Sequence, residues 1–283
     1  MNTVKMIALD LDGTLIPEDQ RVSLKDRAAI RRAQQAGVPV IIATGRLYPS
    51  ARAWLSKLAS APAAILCNGA DVREEGKSIY SDAINPKHLA EAYRAMGDFE
   101  TKRYVYCGDK IYCTKNDYDE ILFHKWGKSA LESGLVQYRG SLEEILESVG
   151  GGAMKFVAST ENDSRHPEIA AVARNLGYFD VVRGEALHFE FTRKGVNKGK
   201  ALRSVAAKMG ISMQNVLAVG DSMNDYEMIR AAGMGVAMGN AMDDVKRIAD
   251  AITLPVWESG VACAISRYVF GENEEPQGGE NAQ

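Results

Sequence analysis

Two hydrophobic rhythms divide this chain. Short runs such as "MIAL", "VIIA" and "VLAVG" are apolar at nearly every position, and between them apolar residues recur at helical spacing. In residues 1–82, "VKMIALD" predicts a strand. It leads to a helix over Ser23–Ala36, with Ser23 as N-cap, Asp26 three residues on and Gly37 closing it. "VPVIIATG" predicts a second strand, Pro49 opens a second helix, and "AAILCNG" predicts a third strand. The far end repeats the style. Helix "NKGKALRSVAAKMG" precedes strand "NVLAVGD", helix "DYEMIRAAG" precedes "GVAMG", helix "DDVKRIAD" precedes "ITLP", and "SGVACAISRYVF" closes the fold as a helix. Wholly apolar strands alternating with amphipathic helices describe a parallel sheet covered on both faces.

Between these halves the rhythm changes. "YVYCGDKIYC", residues 104–113, alternates in polarity and turns at Gly-Asp, the pattern of a β-hairpin. From residue 85 the chain reads helix, strand, strand, helix, strand, helix, strand, helix, strand, strand. Hairpins mixed with crossovers predict an α+β domain. At 283 residues the chain exceeds a typical single domain. The expected organisation is a discontinuous core, residues 1–82 and 193–272, with residues 83–192 inserted as a second domain. The polar tail 273–283, "NEEPQGGENAQ", is expected to be disordered.

Composition changes this picture only by exclusion. With 46% apolar and 25% charged residues the chain can build a sizeable core. A net charge of −3 argues against a nucleic-acid footprint, while leaving room for an anionic small molecule held by a few local cations and a metal. No apolar run reaches the about 18 residues of a membrane span, and the N-terminus enters the first strand without a cleavable signal pattern. The four cysteines, Cys67, Cys107, Cys113 and Cys263, form no C-x-x-C and read as buried reduced thiols. A cytoplasmic location is the expectation. The four histidines, His88, His124, His166 and His188, lie too far apart to read as zinc ligands.

Polar residues gather where the core strands end. The first strand runs into "DLDGT", with Asp10 and Asp12 spaced i, i+2. On a strand that spacing puts both carboxylates on one face, where like charges are costly without a cation. The second strand ends in Thr44-Gly45-Arg46, the third in Asn68, and "VLAVG" in Asp221, with Asn224 and Asp225 just beyond. Ligands of open α/β sheets bind outside the carboxyl ends of the strands, so parallel strands would bring these residues to one edge. Carboxylates of Asp10 and Asp221 with a backbone carbonyl suit Mg2+, a hard ion that prefers oxygen. Thr44 and nearby backbone N–H groups could hold phosphate oxygens, and Lys198 could add a point charge. A carboxylate aimed at phosphorus is how an aspartyl-phosphate forms.

In order, these motifs resemble the haloacid dehalogenase superfamily of phosphatases: "DLDGT" from Asp10 to Thr14, Thr44 in "IIATGR", Lys198 in "KGVNKG", and "GDSMND" with Asp221 and Asp225. The later "GVAMGNA" and the insertion between the second and third motifs resemble the Cof-type branch, with its larger cap of the C2 type. The resemblance covers roughly residues 4–270 and implies a Rossmann-like α/β core plus an inserted α+β cap. It implies Asp10 as nucleophile and Mg2+ ligand. Asp12 would give its main-chain carbonyl to the metal and its side chain as general acid, then base. Thr44, Gly45 and Lys198 would hold the phosphoryl group, Asp221 would ligate Mg2+, Asn224 would contact phosphate, and Asp225 would support the metal shell or Lys198. The aspartate at position 12, absent from the dehalogenases and replaced by threonine in the P-type ATPases, favours phosphate-ester hydrolysis or mutase chemistry.

The implied activity is hydrolysis of small phosphorylated metabolites such as sugar phosphates, with no nucleic-acid or membrane partner and the oligomeric state left open. A phosphomutase would need a cap gripping a second anion, and no arginine cluster in residues 83–192 announces one. A phospho-receiver module is about half this length and carries no inserted domain. Individual residues also have plainer readings. Asn224 could simply cap a helix, Asn68 could be a turn residue, and Arg46 either contacts substrate or makes a surface ion pair. Tyr104, Tyr106 and Tyr112 read as one sheet face. "GVNKGK" is too short for a P-loop, and "GMGVAMG" lacks dinucleotide spacing.

Overall fold

The structure is a computed structural model, and it describes residues 3–17, 21–58, 63–118, 134–160, 162–183 and 188–272. The second of the four helices expected after residue 85, His124 and the tail 273–283 lie outside these residues. The chain first lays down β1 (Met6–Leu9), β2 (Val40–Ala43), β3 (Ala64–Leu66), β4 (Asp71–Glu74) and β5 (Lys77–Ser81). It continues with β6 (Lys102–Cys107), β7 (Lys110–Thr114), β8 (Val136–Arg139), β9 (Ala153–Ser159), β10 (Phe179–Arg183) and β11 (His188–Arg193), then returns with β12 (Val216–Gly220), β13 (Met234–Ala237) and β14 (Ala251–Ile252).

Two sheets result. One has the order β14-β13-β12-β1-β2-β3-β4-β5, parallel from β14 to β3; the other has the order β10-β11-β9-β6-β7-β8. The first is a mixed α/β core with a parallel centre, and both of its faces are covered. Along β1, Met6 and Ala8 pack with Ile41, Ala218, Leu202 and Val205, while Ile7 and Leu9 pack with Ile42, Val219, Ile30 and Ile265. Helix Lys198–Lys208 thus covers one face, and helices Leu24–Gln35 and Gly260–Val269 the other. Ser23 caps the helix that begins at Leu24, its Oγ accepting from the Asp26 N–H at 2.9 Å. The helix stops at Ala36, with Gly37 at φ 80°.

The parallel reading of residues 1–82 needs one correction. β4 and β5 form an antiparallel hairpin that extends the sheet beyond β3. Its turn is Glu75-Gly76, at φ 49° and 79°, the left-handed pair of a tight hairpin turn. Of "ITLP", residues 252–255, only Ile252 lies in β14, a strand of two residues.

In the second sheet the hairpin turns at Gly108-Asp109, between β6 and β7. One face packs beneath helices Pro86–Gly97, Leu142–Val149 and His166–Asn175. The tyrosines do not share a face. Tyr104 and Tyr106 point with Ile111, Cys113 and Val157 towards Leu47, Cys67 and Ala70 of the first sheet's loops, whereas Tyr112 lies on the helix side. The chain crosses between the sheets at residues 82–85 and 193–197. There Asp82 pairs with Arg193, and the Ile84 N–H donates to the Ala153 carbonyl at 2.7 Å.

Candidate active site

Because β1, β2 and β12 are parallel neighbours, their carboxyl ends open on one edge. Asp10 follows β1, Thr44 follows β2, Asp221 follows β12, and Asn68 follows β3. Lys198 begins the helix whose cap is Asn197, where Oδ1 accepts from the Lys200 N–H at 2.8 Å. Its side chain, 0% exposed, donates from Nζ to Asp10 Oδ1 and to Asp225 Oδ1, each at 2.7 Å. Asp225 Oδ2 accepts from the backbone N–H groups of Asp221 at 3.1 Å and Ser222 at 3.2 Å. Thr14 Oγ1 donates to Asp221 Oδ1 at 2.7 Å. Carboxylate oxygens of Asp10, Asp221 and Asp225, all buried, lie within 4.8 Å of one another.

Charge is out of balance in this cluster. Three buried carboxylates face one buried ammonium. Burial, then Asp225, push the Asp10 carboxyl well above the usual carboxylate range, against the pull of Lys198. Burial also works against the Lys198 ammonium, but Asp10 and Asp225 outweigh it and hold its pKa above the ordinary value. Such a hard-oxygen donor set fits a divalent cation, which would offset its excess negative charge. Both Asp225 oxygens are already engaged by Lys198 and backbone N–H groups, which makes Asp225 a partner of Lys198.

Asp10 and Asp12 do not sit side by side on a strand face. β1 ends at Leu9 and the chain turns through Asp10–Thr14, so the two carboxylates diverge. Asp10 is 3% exposed and meets Lys198. Asp12, with its side chain 44% exposed, is gripped by Arg46: Nε donates to Oδ2 at 2.8 Å and Nη2 to Oδ1 at 2.5 Å. Arg46 itself is buried, so its ion pair belongs to the site's edge and not to the surface. Thr44, fully buried, accepts at Oγ1 from the Arg46 N–H at 3.2 Å, and Gly45 lies between them.

A second polar cluster was not legible in the sequence. Cys67, Asn68 and Gly69 all have positive φ, 48°, 57° and 98°, and this turn drives the Asn68 side chain inward. Asn68 Oδ1 accepts from Asn224 Nδ2 at 3.2 Å, and Asn68 Nδ2 donates to Glu190 Oε2 at 2.5 Å. Glu190 Oε1 accepts from Lys155 Nζ at 2.7 Å, and Lys155 also donates to the Gly45 carbonyl at 2.8 Å. Burial alone would raise the Glu190 carboxyl, but Lys155 and Asn68 hold it below its ordinary value. Asn68 is therefore a turn residue that also tethers. Asn224 is held by Asn68 and by Ser222 Oγ, which donates to its Oδ1 at 2.9 Å.

The parallel centre of the core thus carries an aspartate directly after its first strand, a buried lysine beside it and an acidic cluster at one edge. Residues 7–265 match the model of the haloacid dehalogenase-like hydrolases, and the chain belongs to that family. Over 269 residues it is 31% identical to 5-amino-6-(5-phospho-D-ribitylamino)uracil phosphatase YcsE of Bacillus subtilis, spanning 94% of this chain and 96% of that protein. It is likewise 31% identical over 271 residues to a phosphoglycolate phosphatase of Methanobrevibacter smithii, spanning 94% and 99%. Among solved structures, a haloacid dehalogenase-like hydrolase from B. subtilis superposes with a TM-score of 0.82 at 29% identity, covering 93% of this chain and 99% of that one.

Proposed function

We propose that this protein is an Mg2+-dependent phosphatase that hydrolyses small phosphorylated metabolites through an aspartyl-phosphate on Asp10. The observation that carries the reading is the contact set of Asp10: a buried carboxylate with Oδ1 fixed by Lys198 and with no hydrogen bond to Oδ2 among the described residues. A carboxylate locked in that way presents one oxygen for in-line attack. The two phosphatases named above act on esters of small hydroxylated molecules, which supports the same substrate class here.

Asp10 Oδ2 attacks phosphorus and the alkoxide leaves. Asp12 enters this step as the carboxylic acid and protonates the leaving oxygen; the carboxylate it becomes, the form that the Arg46 fork holds, then takes a proton from the water that cleaves the acyl phosphate. Thr44, the Gly45 N–H, Lys198 and Asn224 hold the phosphoryl oxygens. Asp10, Asp221 and the Asp12 main-chain carbonyl would hold Mg2+, with Asp225 supporting through Lys198. Bound there, the ion would draw charge from the phosphoryl oxygens and offset the acidic cluster. Residues 83–192, carrying the second sheet, are an inserted cap over this edge, and residues 1–82 with 193–272 are the catalytic core. The sequence of residues 83–192 announces no arginine cluster for a second phosphate, which favours hydrolysis over mutase chemistry. All four cysteines are free thiols, which supports a cytoplasmic setting. Purified protein assayed with a panel of phosphate monoesters, with and without Mg2+, tests the reading. Release of inorganic phosphate that stops with EDTA is expected, and an absence of turnover on every ester refutes it.

A further inference from the structure

The Lys155–Glu190 pair lies on the second sheet, yet its bonds end in the core. Lys155 is on β9 and Glu190 on β11; with Tyr104, Tyr106 and Val157 they share the face turned towards the core loops. Lys155 is 2% exposed, and its ammonium sits 4.6 Å from the centre of the Tyr106 ring. A lysine buried there has to be paired, and it is paired twice, once to Glu190 and once to the Gly45 carbonyl. Glu190 passes the connection to Asn68, and Asn68 passes it to Asn224. A Cβ on Gly45 would lie 2.9 Å from Asn68 Oδ1, 3.5 Å from Glu190 Oε2 and 3.5 Å from Lys155 Nζ, so the cluster presses directly on the loop that follows Thr44.

Three core loops, those after β2, β3 and β12, are thus tied together by two residues of the cap. On the phosphatase reading, on which this inference rests, the loops after β2 and β12 are the ones that present Gly45, Thr44 and Asn224 to the phosphoryl group. We infer that Lys155 and Glu190 are positioning residues: by docking on Gly45 and Asn68, the cap sets the geometry of the core's phosphate-holding edge, whatever alcohol the phosphate is esterified to. A pair that instead recognised the alcohol would act on some esters and spare others. The two roles therefore separate in experiment.

The test compares wild type, Glu190→Ala, Glu190→Gln and Lys155→Met in the full chain with Mg2+ present. Two quantities are read: binding of inorganic phosphate by isothermal titration calorimetry, and kcat/KM for p-nitrophenyl phosphate and for two sugar phosphates. Loss of a buried, charge-assisted tether is expected to lower kcat/KM about 10- to 100-fold in Glu190→Ala and Lys155→Met, by one common factor for all three esters. Phosphate binding should weaken in step. Glu190→Gln keeps an acceptor for Asn68 and should recover to within about 5-fold of wild type. Should Glu190→Ala fail to fold, Asn68→Gly breaks the same path from the core side, keeps the positive φ, and must weaken phosphate binding alike. Unchanged phosphate binding overturns the inference, and so does a loss confined to one class of ester. A wild type inert towards all esters refutes the phosphatase reading, while phosphate binding, which needs no turnover, still judges the positioning role.

Discussion

Asp10 and Asp12 are two residues apart and answer to different cations, Lys198 and Arg46. The like-charge conflict implied by their spacing is met first by the protein's own side chains and by a turn that starts at Asp10. Their roles should separate accordingly. On the proposed mechanism Asp10→Asn replaces the attacking carboxylate by a non-nucleophilic amide, so no phosphoenzyme is expected on any substrate. On the same mechanism Asp12→Asn loses proton transfer, worth roughly 10²- to 10⁴-fold. Because p-nitrophenolate leaves almost unaided, Asp12→Asn should still become phosphorylated by p-nitrophenyl phosphate and then stall; acid-quenched mass spectrometry would find the phosphoryl group on the peptide that holds Asp10. Asp221→Ala removes one carboxylate from the cluster and, on the proposed reading, one donor to Mg2+. Without Mg2+ its thermal midpoint should match or exceed that of wild type. Adding Mg2+ should then raise only the wild-type midpoint, since a ligand stabilises in proportion to RT ln(1 + [L]/Kd). A Mg2+-dependent rise in Asp221→Ala would argue against that residue as a ligand. Cys67 supplies a pH-linked case. Burial pushes its thiol up to about 12, so at pH 8 only about one molecule in 10⁴ carries the thiolate there. Iodoacetamide should leave Cys67 unlabelled in the native protein and label it after unfolding, as read by peptide mass spectrometry.

At the scale of elements, the strand ends carried most of the readable information. β1, β2, β3 and β12 are apolar at every position, and the residue types change abruptly where they stop. What stayed hidden has physical causes. The β4–β5 hairpin contains the exposed strand "KSIYS", which has no clean alternation because it lies at the sheet's edge. The Lys155–Glu190 pair could not be read because Lys155, Glu190, Gly45 and Asn68 come from four separate segments, and no local pattern encodes contacts across two sheets. Arg46 read equally well as a surface residue until β1 and β2 were seen to be neighbours. The end of β12 also shows what an element needs to carry a site. A Cβ on Gly220 would lie 2.5 Å from Asp225 Cγ and 2.7 Å from its Oδ2. Only glycine lets the carboxylate fold back beneath its own strand to reach Lys198 and the N–H groups of residues 221 and 222. Gly220→Ala should therefore cost about 1–3 kcal/mol in denaturant unfolding and lower kcat/KM together with it. Full activity with reduced stability would show that Asp225 tolerates displacement.

The whole molecule divides its labour between the sheets. Among the described residues, the two apolar clusters of the first sheet draw on residues 4–72 and 201–265 and take no buried residue from 83–192. A third cluster, by contrast, joins Leu47, Cys67, Ala70 and Val196 to seven or more side chains of the second sheet's inner face, including Tyr104, Tyr106 and Met154. On the proposed reading of residues 83–192 as a cap, opening it would expose this apolar surface, so burial would favour closure together with the Arg73–Asp109 pair at 2.7 Å, which reaches from β4 to the tip of the β6–β7 hairpin. The points of exit and return are adjacent, since Asp82 and Arg193 are bonded to each other, and a short Gly-Ser linker can replace residues 83–192. The excised core should fold on its own two clusters, with lower solubility from the uncovered Leu47 and Ala70. Its kcat/KM for p-nitrophenyl phosphate should fall by at least the factor expected for Glu190→Ala, because both lose the same tether to Gly45 and Asn68. Its discrimination among sugar phosphates should flatten, because whatever reads the alcohol leaves with the cap. Steady-state kinetics on the excised core against the intact chain, over one panel of esters, separates the two losses. A uniform drop with the substrate ranking preserved would mean that selectivity resides in the core, and that the second sheet serves only to position the phosphate.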